Sequence, residues 1–163
     1  MPNDYNGLPL HPLVVHATVV IIPLAALTVV LFAAWPRFRS WAGPLPLALS
    51  LIGVVLVPLS TATGETLERH TAASALLERH TQLADGLLPW MISLAVISAL
   101  GYALHRRSTN DEHIRRLVAV AVAVLAVGAA AGTTVQVARV GDAGAKAAWA
   151  STNMNPSSPK PPR

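Results

Sequence analysis

Six histidines give this chain of 163 residues its widest chemical reach, because neutral imidazole ligates zinc, copper and iron and titrates near physiological pH. His11 and His16 stand at the mouth of a hydrophobic run, GLPLHPLVVHATVV. His70 and His80 occupy two copies of LERHT, at 67–71 and 77–81, and His105 and His113 lie in the arginine-rich stretch HRRSTNDEHIRR. Glu65 follows Gly64, where its carboxylate has two readings: a partner to a histidine's second ring nitrogen, fixing its tautomer, or a solvated loop acid. With no cysteine, disulfides, thiolate chemistry, iron–sulfur ligation and covalent c-type haem attachment are excluded. A bound metal would be held by histidine, carboxylate or backbone. No Ser-His-Asp order, phosphate-cradling glycine loop or metalloprotease helix motif is present, so hydrolytic and nucleotide chemistry have no support.

Composition decides what must position these groups. The chain is 53% hydrophobic and only 12% charged, against about 25% charged in a typical soluble domain. After Gly7 no acidic or basic side chain occurs until Arg37, and a membrane-spanning helix needs only about 20 apolar residues. The net charge of +4 sits in short loops beside hydrophobic runs, which points to membrane topology rather than nucleic-acid binding. The N-terminus lacks the positive region of a cleavable signal, so the first apolar helix is expected to remain in the membrane.

Four spans are expected, at about 12–35, 44–62, 86–104 and 117–138, in an all-α, up-down-up-down four-helix transmembrane bundle filling residues 12–140. Residues 1–11 form an extracytoplasmic N-terminal segment. Residues 65–85 form an outer helical connection, and 141–163 an interfacial segment with a disordered Pro- and Ser-rich tail. Helical spacing aligns His16 with Val20, Pro23 and Leu27, and proline on that face argues for packing against other helices. From Ala73, the apolar stripe Leu76, His80, Leu83 and Leu87 predicts a helix that enters the third span with His80 turned inward. The two LERHT histidines, ten residues apart, would diverge by about 80° on one helix and need not share a site. Ser60 with Gly64, and Gly128 with Gly132, are small pairs one turn apart that permit close helix contact.

Arg37 and Arg39 follow the first span, and Arg106, Arg107, Arg115 and Arg116 surround the turn after the third, whereas Arg69 and Arg79 lie in the other connection. The positive-inside rule then puts both termini outside the cell membrane, with His11, His16, His70 and His80 on the outer side and His105 and His113 inside. Histidines in short loops usually face water or bond locally, which suits His70, His105 and His113, and the helix start offers His11 a capping role. His16 and His80 fall on expected packing faces, where an ionisable group suggests function. Ligand and structural polar contact are the two readings there.

LHPLVVH at 10–16, TGE at 63–65, LLERHTQL at 76–83 and GDAGAKAAW at 141–149 together resemble the bacterial membrane proteins grouped as domain of unknown function 2231, from Asn6 to Trp149. The resemblance implies a four-helix membrane protein of no settled activity, with the family's histidines and acid falling on His11, His16, Glu65 and His80. Some relatives carry a Rieske-type iron–sulfur domain, which implies a place in membrane electron transfer. This chain has neither that domain nor a cysteine, so such a role needs a bound cofactor or a partner.

Two classes of function follow. One is a redox or cofactor-binding subunit of the bacterial inner membrane, with b-type haem or a metal held by His16 and His80, His11 and Glu65 supporting, and a membrane redox partner. The alternative is a non-catalytic scaffold or assembly subunit, including a homo-oligomer, packed through Gly128 and Gly132. Transport has less support, since the spans show neither a mid-membrane acid nor a repeat of broken helices.

Overall fold

Prolines and glycines cut the apolar runs into helices. In the computed structural model, which describes residues 4–5, 8–69, 74–107 and 112–150, these are α1 (Leu10–Ala34), α2 (Pro36–Ala42), α3 (Leu45–Glu68), α4 (Ala75–Asp85), α5 (Leu87–Arg106) and α6 (Glu112–Trp149). Among the described residues the strands are a two-residue antiparallel pairing of β1 (Asp4–Tyr5) with β2 (Leu8–Pro9). His70, Ala73 and the tail read as disordered lie outside the described residues.

Each break has a local cause. Trp35 is extended (φ −120°, ψ 104°) because it precedes Pro36, which opens α2. Pro36 has no N–H to give the carbonyl of Phe32, one turn back, and Arg39 supplies the missing donor. Its Nε donates to Phe32 O at 2.8 Å and an Nη to Ala33 O at 2.6 Å, while the guanidinium lies over the Phe32 ring. Gly43 then turns the chain at φ +51°, a conformation L side chains resist. Between α4 and α5, Pro89 removes the donor for the Asp85 carbonyl, and the helix is interrupted at Gly86 (φ −69°, ψ −8°). Gln136 of α6 reaches this interruption and donates to Leu83 O at 2.6 Å.

Four stretches are long and apolar enough to cross a membrane: α1, α3, the α4–α5 run and α6. α1 packs on α3 and α6, and α5 packs on the same two, so the long helices form an antiparallel ring. Ile22 and Met91 meet at Gly53, the Ser50 and Ser98 hydroxyls lie 3.2 Å apart, Trp90 crosses Gly132, and Gly101 sits between Phe32 and Val122. The start of α1 and the end of α6 therefore lie at one end of the bundle, the terminal end. Arg37, Arg39, Arg106, Arg107, Arg115 and Arg116 mark the other, the arginine end.

The core is built from small residues between a few large ones. Ile22, Met91 and Leu94 are fully buried, with Ala25, Ala26, Ala126, Ala129 and Ala130 around them. The buried stripe of α1 is Thr18, Ile22, Ala25, Ala26, Val29 and Phe32. That corrects the face expected from sequence: Val20 and Leu27 are more than half exposed, and His16 is exposed with them. A helix that is apolar all round carries no moment to choose its inner side. Ala25 and Ala26 choose it, because close approach needs small side chains.

α6 runs unbroken through the polar stretch where a separate interfacial segment was expected. Its 38 residues measure about 57 Å, against a hydrocarbon thickness of about 30 Å, so the helix is far longer than one crossing requires. α4 packs along its C-terminal part.

The two glycines of the Gly128/Gly132 pair differ sharply. A Cβ on Gly132 would stand 2.1 Å from Trp90 Cζ3, whereas one on Gly128 meets nothing within 4 Å. Gly132→Ala should therefore lower thermal stability in mild detergent by about 1–3 kcal/mol, the range for overpacking. Gly128→Ala should be neutral, or stabilising by about 0.5 kcal/mol through helix propensity. Equal losses for both, read by circular dichroism melting, would contradict this packing.

Candidate functional site: two histidines on glycine seats

Pro12 in the first turn lets α1 start at Leu10, which carries His11 against the C-terminal part of α3. Its Nδ1 lies 3.2 Å from Ser60 O and 3.3 Å from Thr63 Oγ1. The ring lies across Gly64, where a Cβ would stand 3.0 Å from His11 Cε1. Helical side chains tilt toward the N-terminus, so a side chain on residue 64 would cover the carbonyl of residue 60. Its absence opens that carbonyl to the imidazole.

His80 repeats the arrangement on another helix pair. Ser74 caps α4, its Oγ accepting from Leu77 N–H at 3.2 Å, and the helix lays His80 half-buried against α6. His80 Nδ1 donates to Val140 O at 3.0 Å, and a Cβ on Gly144 would stand 2.9 Å from His80 Cε1. Val140 and Gly144 are one turn apart, as are Ser60 and Gly64. In each case the ring bonds the carbonyl at i and occupies the gap left by glycine at i+4.

The chemistry of the two rings follows. A carbonyl only accepts, so Nδ1 carries the proton in both imidazoles and Nε2 keeps its lone pair. The two rings lie within electrostatic reach of each other. Each ring is oriented by a backbone carbonyl at Nδ1, as metal-ligating histidines are oriented, which leaves Nε2 as the atom that would ligate.

His16, expected to approach His80, is exposed, and its Nδ1 bonds Pro12 O at 2.5 Å within its own turn. Glu65 is exposed, and its carboxylate makes no hydrogen bond to either histidine among the described residues. His105 lies at the arginine end, its ring edge-on to Phe32 at 5.9 Å. Among the described residues no three His, Asp or Glu side chains gather as a metal cluster. Thr63, Val140, Gly144 and Gln136 are the site residues that sequence reasoning missed. Gly64 was visible beside Ser60, but as a seat for a helix rather than for a ring.

The four motifs that gave the resemblance meet here in two pairs. LHP brings His11 onto the TG of TGE, and LLERH brings His80 onto the second glycine of GDAGA. A family model described as a predicted membrane protein (DUF2231) matches residues 7–154. The chain belongs to this family. The chain has no significant match among curated proteins or solved structures. For this member of DUF2231, the family's span covers both histidine seats and all four long helices' packed segments.

Selective nitrogen labelling tests the two seats separately. In ¹⁵N spectra of histidine-labelled protein in detergent, His11 and His80 should both show the Nδ1–H, bare-Nε2 tautomer. Gly64→Ala should perturb the His11 signals and leave those of His80, while Gly144→Ala should do the reverse. An Nε2–H tautomer at either residue would rule out its carbonyl bond.

Proposed function

We propose that the chain is a multi-pass subunit of the bacterial cell membrane that binds a haem iron or a single transition-metal ion through His11 and His80, and serves membrane electron transfer. The observation that supports this reading is the shared bonding of the two rings: each gives its Nδ1–H to a main-chain carbonyl and keeps an Nε2 lone pair, the form in which imidazole ligates a metal. His80 keeps the ligand role expected from sequence. His11 takes the place expected for His16, because His16 is spent on its own turn. His11 and His80 would hold the haem iron or ion through Nε2, and a lone ion would take its remaining ligands from water or a partner subunit.

The test is an absorption spectrum and metal analysis of protein purified in mild detergent. A Soret band or stoichiometric metal is expected, lost in His11→Ala and in His80→Ala and retained in His16→Ala. Folded protein that holds neither haem nor metal, and takes up neither when supplied, would leave the scaffold reading. What favours that alternative is the open side of Gly128, flanked by exposed Val124 and Leu125, onto which a neighbouring helix could close.

We further infer that the terminal end, with both histidine seats, faces outside the cytoplasm. The warrant is the six arginines in the short connections of the arginine end. Reporter fusions at either terminus should be active only as extracytoplasmic reporters. A cytoplasmic signal from either terminus would reverse the orientation.

A further inference from the structure

At the arginine end α5 and α6 part, and the gap between the end of α5, the start of α6 and the end of α1 is a cavity of about 350 Å³. We infer that this cavity binds the headgroup of an anionic phospholipid. Its walls divide by chemistry. Arg39, Arg106, Arg107 and Arg115 supply its charged lining, and Leu104, Val118 and Val122 its apolar lining. Arg39 is committed to the carbonyls of Phe32 and Ala33, so it adds charge and a fixed wall rather than a free fork. Arg106 and Arg107 have no acidic partner among the described residues, and Arg115 has only an exposed contact with Glu112 at 4.0 Å.

Three features select a lipid over a free phosphate. First, headgroup depth is marked, as interfacial aromatics mark it, by the exposed Trp35 and Trp41, which flank Phe38, stacked and tilted respectively, in the same stretch of chain as the lining residues Ala33 and Arg39. Second, its apolar wall continues along one face of α6 through Ile114, Val118 and Leu125, exposed side chains at i, i+4 and i+11, which gives an acyl chain a path away from the headgroup. Third, the charge is one-sided. In sequence, residues 36–44 and 105–116 hold six arginines against two acidic residues, whereas the rest of the chain holds as many acidic as basic residues. Guanidinium forks match phosphate oxygens, and basic pockets between transmembrane helices bind such headgroups. The N-terminus of α6, which lines the cavity at Arg115, adds partial positive charge.

The test uses the full chain in mild detergent, titrated with phosphatidylglycerol, phosphatidylcholine or soluble glycerol 3-phosphate and followed by native mass spectrometry and thermal stability. Phosphatidylglycerol should remain bound and raise the melting temperature, and the other two should do neither. Arg106→Gln with Arg107→Gln should weaken phosphatidylglycerol binding about thirtyfold, the worth of two basic residues at an anionic surface. Val118→Trp, which fills the apolar side at an exposed position, should weaken it with every arginine in place. Arg69→Gln with Arg79→Gln, at the terminal end, should change nothing. Equal binding of phosphatidylcholine, equal binding of glycerol 3-phosphate, or unchanged phosphatidylglycerol affinity in both the arginine pair and Val118→Trp would each overturn the assignment.

Discussion

The structure depends on side chains that are missing. Helices in lipid gain little from burying apolar surface against one another, because the solvent is as apolar as they are, and must gain from close packing instead. Here the recurring solution is one large side chain laid into the gap left by a glycine on the next helix. Met91 fills the gap at Gly53, Trp90 at Gly132, His11 at Gly64 and His80 at Gly144. The first two contacts are dispersion between α5 and its neighbours. The last two use the same gap to reach a carbonyl, so one packing rule also makes the polar contacts.

A second constraint is the disposal of backbone groups that prolines leave over. Pro36 deprives the carbonyl of Phe32, and Arg39 answers it. Pro89 interrupts the helix at Gly86, where Gln136 bonds Leu83 O. In lipid, an unbonded carbonyl costs several kcal/mol in order of magnitude, so long polar side chains at the span ends serve the backbone first. Ser50 and Ser98 show the same economy in mid-bundle. Each hydroxyl donates to a carbonyl one turn back, and the two oxygens then meet across α3 and α5.

Helix number and the ends of the apolar runs were legible in sequence because charge avoidance in lipid is a strong one-dimensional signal. Pro36, Gly43 and the polar stretch around 107–112 mark their breaks in plain composition. The stripe Leu76, His80, Leu83 put His80 inward because α4 has polar residues to set against it. α1 had none, and the face of His16 was misjudged: with Val, Ile and Leu on all sides, only the positions of Ala25 and Ala26 distinguish the buried side. His11 was underweighted for the converse reason. A helix-start position reads as local, and nothing in LHP reveals that Gly64, more than fifty residues on, has left a carbonyl open to it.

The two histidine seats are built on different helix pairs, and this fixes what holds the site together. His11 belongs to α1 and is anchored on α3, while His80 belongs to α4 and is anchored on α6. Neither ring bonds the helix that carries the other. Their mutual distance therefore follows the packing of α4 and α6 against α1 and α3, while Trp90 on Gly132 ties α6 to α5 and Gln136 on Leu83 O ties it to α4. A shift of α4 and α6 together against α1 and α3 would carry Val140, Gly144 and His80 as a unit and leave Ser60, Gly64 and His11 in place. The pair would open or close without breaking either imidazole's own hydrogen bond. The His80 seat and the arginine-lined cavity are thus built on one continuous helix, α6, whose packing at mid-bundle on Trp90 positions both.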